Sequence, residues 1–453
     1  MPLDYTNPGR ATIKLAIVRK QATDPAHRIG SLITNPGGPG GSGVEFVEQN
    51  YSAQSGQPSH FDQALRADFD IVGFDPRGVG QSAPITCLTD TQMDSYVALD
   101  PAPTTPPEVD AVVAGNKALD ASCETHSAVL LPYVGTPNAA RDMDILRAVL
   151  GDQKMYYLGA SYGTYLGAVY AQLFPTRIAR AVLDGPLPPN QTDRQLSIEQ
   201  AVGFQDEITR FIADCTTHPD CPLGTDATSA AQKLTDLFAS AQAHPLPTGG
   251  NRMLDGALAQ TGVLVTMYDS PQAWPLLRQV LAQALAGDGH GLLVLADLYN
   301  ERDPKTGHYS NQAASNAAIN CLDHPDAVHS AADVQAELPD FERVAPLIGA
   351  SLAWGDLTCV YWPVPAQSQP HQIDYAGLPP ILVVGTIHDP ATPYPAAKDM
   401  AQQLGSSVLL TYNGDGHTAY GRGSTCINTA VDAYLTRGTV PTTGLVCQPD
   451  TAQ

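Results

Sequence analysis

One pentapeptide constrains this chain more than any other feature: Gly159-Ala160-Ser161-Tyr162-Gly163, the only G-x-S-x-G in the sequence. It follows the apolar run Met155 to Leu158, read as a strand, and it opens Tyr162 to Phe174, read as a helix stopped by Pro175. A serine held between a strand and a helix sits on a tight, strained turn, and flanking glycines permit that turn. The helix start places backbone N–H groups and a positive dipole end beside the hydroxyl. Ser161 is therefore the candidate nucleophile, and the chain around it is expected to alternate strands with helices.

It does so over two stretches. Ala11 to Val18, Ser31 to Thr34, Phe69 to Phe74, Met155 to Leu158 and Ile178 to Leu183 read as strands. Asn138 to Leu150 reads as a helix with Ala139, Met143, Leu146 and Leu150 on one face, ended by Gly151. Residues 85–135, with a Pro-rich stretch at 101–107, read as irregular. The alternation stops near Pro186-Leu187-Pro188-Pro189, and residues 190–370 read as mainly helical and loop-rich. It returns with Ile381 to Val384 (strand), Pro393 to Leu404 (helix), Val408 to Tyr412 (strand) and Thr425 to Leu435 (helix). Such alternation implies an α/β fold, a mostly parallel sheet with helices on both faces. The expected organisation is a core in two parts, 1–189 and 371–453, interrupted by an insertion over 190–370.

A serine hydroxyl is a weak nucleophile and needs a base. In this kind of fold the acid and the histidine follow the serine along the chain. Asp389 lies just past the strand ILVVGT, and His417 just past VLLTY in Asn413-Gly414-Asp415-Gly416-His417. Both loops can converge on Ser161, so Asp389 is the candidate acid and His417 the candidate base. His388, Asp184 and Asp415 are rival assignments. The loop Pro36-Gly37-Gly38-Pro39-Gly40 lets backbone approach a ligand, and the N–H groups of Gly38 and Tyr162 are the expected oxyanion donors. It lacks the spacing of a phosphate-binding loop. A histidine base must be neutral, so activity is expected to fall below about pH 6. Neither metal nor cofactor is expected.

Lys and Arg number 24 against 46 Asp and Glu, a formal net charge of −22. Scattered cations in so acidic a chain make nucleic acid and anionic membranes poor partners. No apolar run reaches the roughly 18 residues of a membrane-spanning helix. The eight cysteines show no CxxC and no zinc-ligand spacing, which suggests up to four disulfides and an oxidising compartment. Roughly a hundred pairings are possible, so connectivity cannot be deduced; pairing in sequence order is the simplest expectation. No signal peptide is visible at the start of the sequence.

With these residues placed, the chain resembles the secreted actinobacterial tripeptidyl aminopeptidases, peptidases of the α/β-hydrolase fold related to prolyl aminopeptidases. The resemblance spans almost the whole chain. It rests on NPGGPGGSG (35–43), VGFDPRGVGQS (72–82), YYLGASYGTYLGAVYAQLFP (156–175), ILVVGTIHDPATPY and GDGHTAY. It implies Ser161, Asp389 and His417 as a triad, Gly38 as an oxyanion donor, a large helical cap, and a secreted or cell-envelope location. It also implies release of short peptides or single residues from free N-termini. Among the carboxylates Asp206, Glu207, Asp214, Asp269, Asp323 and Asp356, the resemblance singles out Glu207 as the group to hold the substrate's ammonium. Relatives of this kind also look like carboxylesterases, and a catalytically idle binding protein of the same fold is a further alternative.

Overall fold

The structure, a computed structural model, describes residues 1–53, 59–270, 272–325, 328–373 and 377–450. Among them the chain builds an eight-stranded sheet. In chain order its strands are β1 (Ile17–Lys20), β2 (Gly30–Asn35), β3 (Phe69–Phe74), β4 (Met155–Ala160) and β5 (Ile178–Asp184), then, after a small hairpin of β6 (Leu246–Pro247) and β7 (Met253–Leu254), β8 (Leu382–His388), β9 (Val408–Asp415) and β10 (Val446–Cys447). The order across the sheet is β1-β3-β2-β4-β5-β8-β9-β10. Only β1 runs antiparallel to its neighbour. The fold is that of an α/β-hydrolase.

Side chains alternate across the strands, so adjacent apolar residues feed opposite layers. Ile33, Val72, Tyr157, Leu183 and Val383 pack under the helices Thr136–Val149 and Tyr162–Leu173. Leu32, Ile71, Leu158, Val182 and Leu382 pack on the other face, with Ile427 and Val431 of the Thr425–Arg437 helix. Each such fully buried side chain contributes about 1.5–3 kcal/mol. Parallel strands flanked by helices leave all their carboxyl ends on one edge, where ligands bind in such sheets.

Between β5 and β8 the chain is mainly helical, and most of its apolar side chains form a third cluster, with Phe204, Phe211, Leu258, Leu277 and Phe341 at its centre. The helix Gln312–Asp323 is one exception. Its Ala314, Ala318, Ile319 and Leu322 join the cluster on one face of the main sheet.

Two local expectations need correction. Residues 85–135 are not irregular: they hold the helices Asp90–Tyr96 and Pro106–Ser127. Thr105 and Glu108 form a capping box, and Pro106 occupies the first turn, so the Pro-rich stretch is the second helix's start signal. The first strand begins at Ile17, not Ala11. Residues 11–13 instead bond the chain start, through Leu3 N–H to Ala11 O (2.8 Å) and Ile13 N–H to Met1 O (2.8 Å).

Arg77, wholly buried, binds both oxygens of Asp142 at 2.7 Å and the carbonyls of Pro2, Leu3 and Tyr133. The turn after β3 is thus tied to the N-terminus and the Thr136–Val149 helix. Disulfides join Cys87–Cys123, Cys215–Cys221, Cys321–Cys359 and Cys426–Cys447, the sequence-order pairing. No described helix is long and apolar enough to cross a membrane.

Candidate active site

Ser161 lies between β4 and the Tyr162–Leu173 helix with φ 56° and ψ −128°. A non-glycine residue in this region carries strain, which the surroundings must hold in place. The flanking glycines are required by space. A Cβ on Gly159 would lie 2.4 Å from Gly163 O, and one on Gly163 would lie 2.7 Å from Asn35 O. The turn therefore closes on itself and packs on the end of β2. Ser161 N–H donates to Asp184 O at 2.8 Å, which ties it to the end of β5.

Asp389 and His417 meet beyond the ends of β8 and β9. His417 Nδ1 lies 2.8 Å from Asp389 Oδ1, with both side chains buried. A carboxylate only accepts, so the Nδ1 that faces Asp389 is the donor of this pair. Asp389 Oδ1 also accepts the N–H groups of Ala391 (3.0 Å) and Thr392 (2.8 Å), and Oδ2 accepts that of Thr418 (3.0 Å). The Tyr268 and His417 rings meet in a T-shaped contact at 5.3 Å between centroids, and Tyr268 O accepts His417 N–H at 3.0 Å. Gly185, next to Asp184, brings the serine and histidine sides together: a Cβ there would lie 3.4 Å from His417 Cε1.

The rival candidates have partners of their own. His388 faces Asp206 at 2.8 Å. Asp415 pairs with Arg210. Asp184 accepts the N–H groups of Ala419 and Tyr420 (2.8 Å for Tyr420) and so anchors the chain just after His417. Burial raises its pKa to about 6, against the pull of those N–H bonds.

The glycine loop after β2 lies against the serine turn. Gly37 has φ 101°, and a Cβ on it would meet Ala160 O at 2.6 Å, Ser161 Cβ at 2.7 Å and Tyr162 N at 3.1 Å. Among the described residues, neither Gly38 N–H nor Tyr162 N–H has a protein acceptor. The Tyr162 hydroxyl bonds Thr136 Oγ1, which donates to buried Asp323 (2.5 Å). Burial raises the Asp323 pKa to about 7.

Glu207 stands on the helix Asp193–Cys215 behind the histidine loop and is fully buried. Its Oε1 accepts Gly416 N–H at 3.3 Å, and burial, then the nearby Asp415, raise its pKa to about 8. A cavity of about 230 Å³, lined by Tyr96, Tyr299, Asn300, Gln312 and Asn316, adjoins the loop: Asn316 Nδ2 donates to Pro39 O at 3.0 Å. Tyr299 in turn packs 6.2 Å from Tyr268. Among the described residues, no three His, Cys, Asp or Glu side chains are grouped to hold a metal ion.

Tyr268 carried no signal in the sequence, being an aromatic residue in a helical insertion. Asp184 was visible only as an acid after a strand, and its task of anchoring the histidine loop required the fold.

A strained serine turn, with an Asp–His pair past the ends of later parallel strands, is the architecture of the α/β-hydrolase class. Residues 345–447 match the family described as TAP-like protein. Over 99% of this chain, the sequence is 39% identical to serine protease Hip1 of Mycobacterium tuberculosis, across 86% of that protein. It is 40% identical to carboxylesterase B of the same organism (99% of this chain, 85% of that one) and 32% identical to tripeptidyl aminopeptidase of Streptomyces lividans (99% and 82%). The chain belongs to this family of α/β-hydrolases.

Proposed function

We propose that this chain is a serine exopeptidase that removes short peptides, tripeptides among them, from free N-termini. Ser161 Oγ attacks the scissile carbonyl carbon while His417 Nε2 takes its proton. Asp389 holds the Nδ1–H tautomer and faces the imidazolium that forms. The N–H groups of Gly38 and Tyr162 receive the oxyanion. The tetrahedral intermediate collapses, the C–N bond breaks, and His417 returns the proton to the leaving amine. Water, deprotonated by His417, then attacks the acyl-enzyme, and Ser161 leaves with its proton restored.

The observation that carries the peptidase reading is chain-long similarity to relatives named serine protease and tripeptidyl aminopeptidase. The segment 190–370 acts as a cap over the site. Glu207 enters as a support of the histidine loop: it is buried and accepts Gly416 N–H through one carboxylate oxygen. Four disulfides support a secreted or cell-envelope location.

One relative, named carboxylesterase B, favours a second reading in which the same triad acts on acyl esters. Hydrolysis of a tripeptide-coumarin amide with a free N-terminus, its acetylated twin and a short-chain nitrophenyl ester separates the two. Cleavage of the free-amine peptide over the acetylated one is the expected result. Cleavage of the ester alone would replace the peptidase reading with the esterase one.

A further inference from the structure

We propose that the helix Asp193–Cys215 is a brace that sets the relative position of Asp389 and His417, with Gly203 and Arg210 as positioning residues. The proposal rests on the serine-hydrolase reading of Ser161, Asp389 and His417.

Residues 200, 203, 206, 207 and 210 lie three or four apart and so share one face of a helix. That face touches both loops at once. On the acid side, Gln200 Nε2 donates to Ala391 O at 3.0 Å, and Asp206 Oδ2 faces His388 Nδ1 at 2.8 Å. These two contacts bracket Asp389. On the base side, Glu207 accepts Gly416 N–H at 3.3 Å and Arg210 pairs with Asp415, the two residues that precede His417. The insertion's first helix thus holds both partners of the pair, although each loop belongs to the sheet.

Gly203 is where helix and loop come closest. A Cβ there would lie 2.5 Å from Pro390 O and 2.9 Å from Asp389 O. Both are backbone atoms, so an added methyl must push the Asp389 loop and the helix apart by about 1 Å. Glycine in mid-helix is unfavourable relative to alanine. Here the missing side chain allows the helix to rest directly on the backbone of the acid.

The test uses Gly203→Ala, Arg210→Ala, Arg210→Lys and, as control, Arg194→Ala. Arg194 stands on the same helix at the same 38% exposure as Arg210, but pairs with Glu337 and Asp340. Three readouts are taken: the labelling rate by a fluorophosphonate probe, kcat and KM on whichever substrate the wild type cleaves, and the melting temperature. A misplacement of about 1 Å is expected to lower kcat and labelling by roughly 10²-fold in Gly203→Ala, with KM little changed. By helix propensity alone that variant should be stabilised, so a loss of rate without a loss of fold isolates the contact. Arg210→Ala is expected to fall about tenfold, Arg210→Lys to recover part of it, and Arg194→Ala to match the wild type.

Wild-type labelling and turnover in Gly203→Ala and Arg210→Ala would overturn the brace, as would equal losses in all four variants. A wild-type protein that never labels is a different failure, and would overturn the reading of Ser161 and the brace with it.

Discussion

Replacing Asp389 by Asn tests the proposed role of Asp389 in holding His417. The two oxygens of Asp389 accept three backbone N–H groups, from Ala391, Thr392 and Thr418, besides facing His417 Nδ1. Asparagine offers one oxygen and one NH2. With its oxygen in the Oδ1 place, it keeps two backbone bonds and the imidazole, and only Thr418 N–H is orphaned. The flipped amide orphans two backbone donors and forces Nδ1 to accept. The first orientation therefore prevails, and His417 largely keeps the competent tautomer. One buried, unpaired donor costs about 1–3 kcal/mol. Unfolding entropy is about 2 cal/mol/K per residue, so a chain of this length has about 1 kcal/mol/K and Tm should drop by about 1–3 °C. Loss of the carboxylate facing the imidazolium should lower kcat by roughly 10⁴-fold. Asp389→Ala should lose comparable activity but more stability, because it orphans all three donors. Steady-state kinetics and thermal melts on both variants supply the comparison. If Asp389→Asn keeps a tenth of wild-type activity, Asp389 is not the acid. If it melts as low as Asp389→Ala, the amide does not hold its oxygen in the Oδ1 place.

Three shorter predictions accompany it. Gly37→Ala, whose methyl would fall 2.7 Å from Ser161 Cβ at φ 101°, should lower kcat by roughly 10²-fold in steady-state assays; near-normal turnover would place the oxyanion loop elsewhere. Glu207 has its pKa raised in the fold from 4.5 to about 8, so the stability tied to its proton is fully present below about pH 4.5 and lost as pH rises through about 8. Glu207→Gln should therefore gain in Tm relative to wild type between pH 5 and 9 in thermal melts, and parallel curves would contradict this. Denatured, unreduced protein should show no free thiol, and reduction should lower Tm, since the 36- and 38-residue loops closed by two of the disulfides are each worth about 3–4 kcal/mol; any titratable thiol would refute the pairing.

What the sequence made legible was local. The serine turn announces itself through glycine at two fixed offsets between a strand and a helix. Asp389 and His417 each follow a short apolar strand, so their placement at one sheet edge required only the parallel topology. The helix Pro106–Ser127 was hidden because its capping signals look like a Pro-rich loop until the buried faces of Val112, Leu119 and Cys123 are seen. Asp184, Tyr268 and Glu207 act across large sequence separations, where no periodicity records a contact. Nothing in the sequence marks Gly203, and only the approach of the Asp389 loop to its helix gives it a reason.

Ser161 as a nucleophile activated by His417 is tested by treating the protein with a fluorophosphonate and mapping the adduct by peptide mass spectrometry. One adduct per chain is expected, on Ser161, formed far more slowly in His417→Ala. No adduct, an adduct on another serine, or equal labelling without His417 would contradict it.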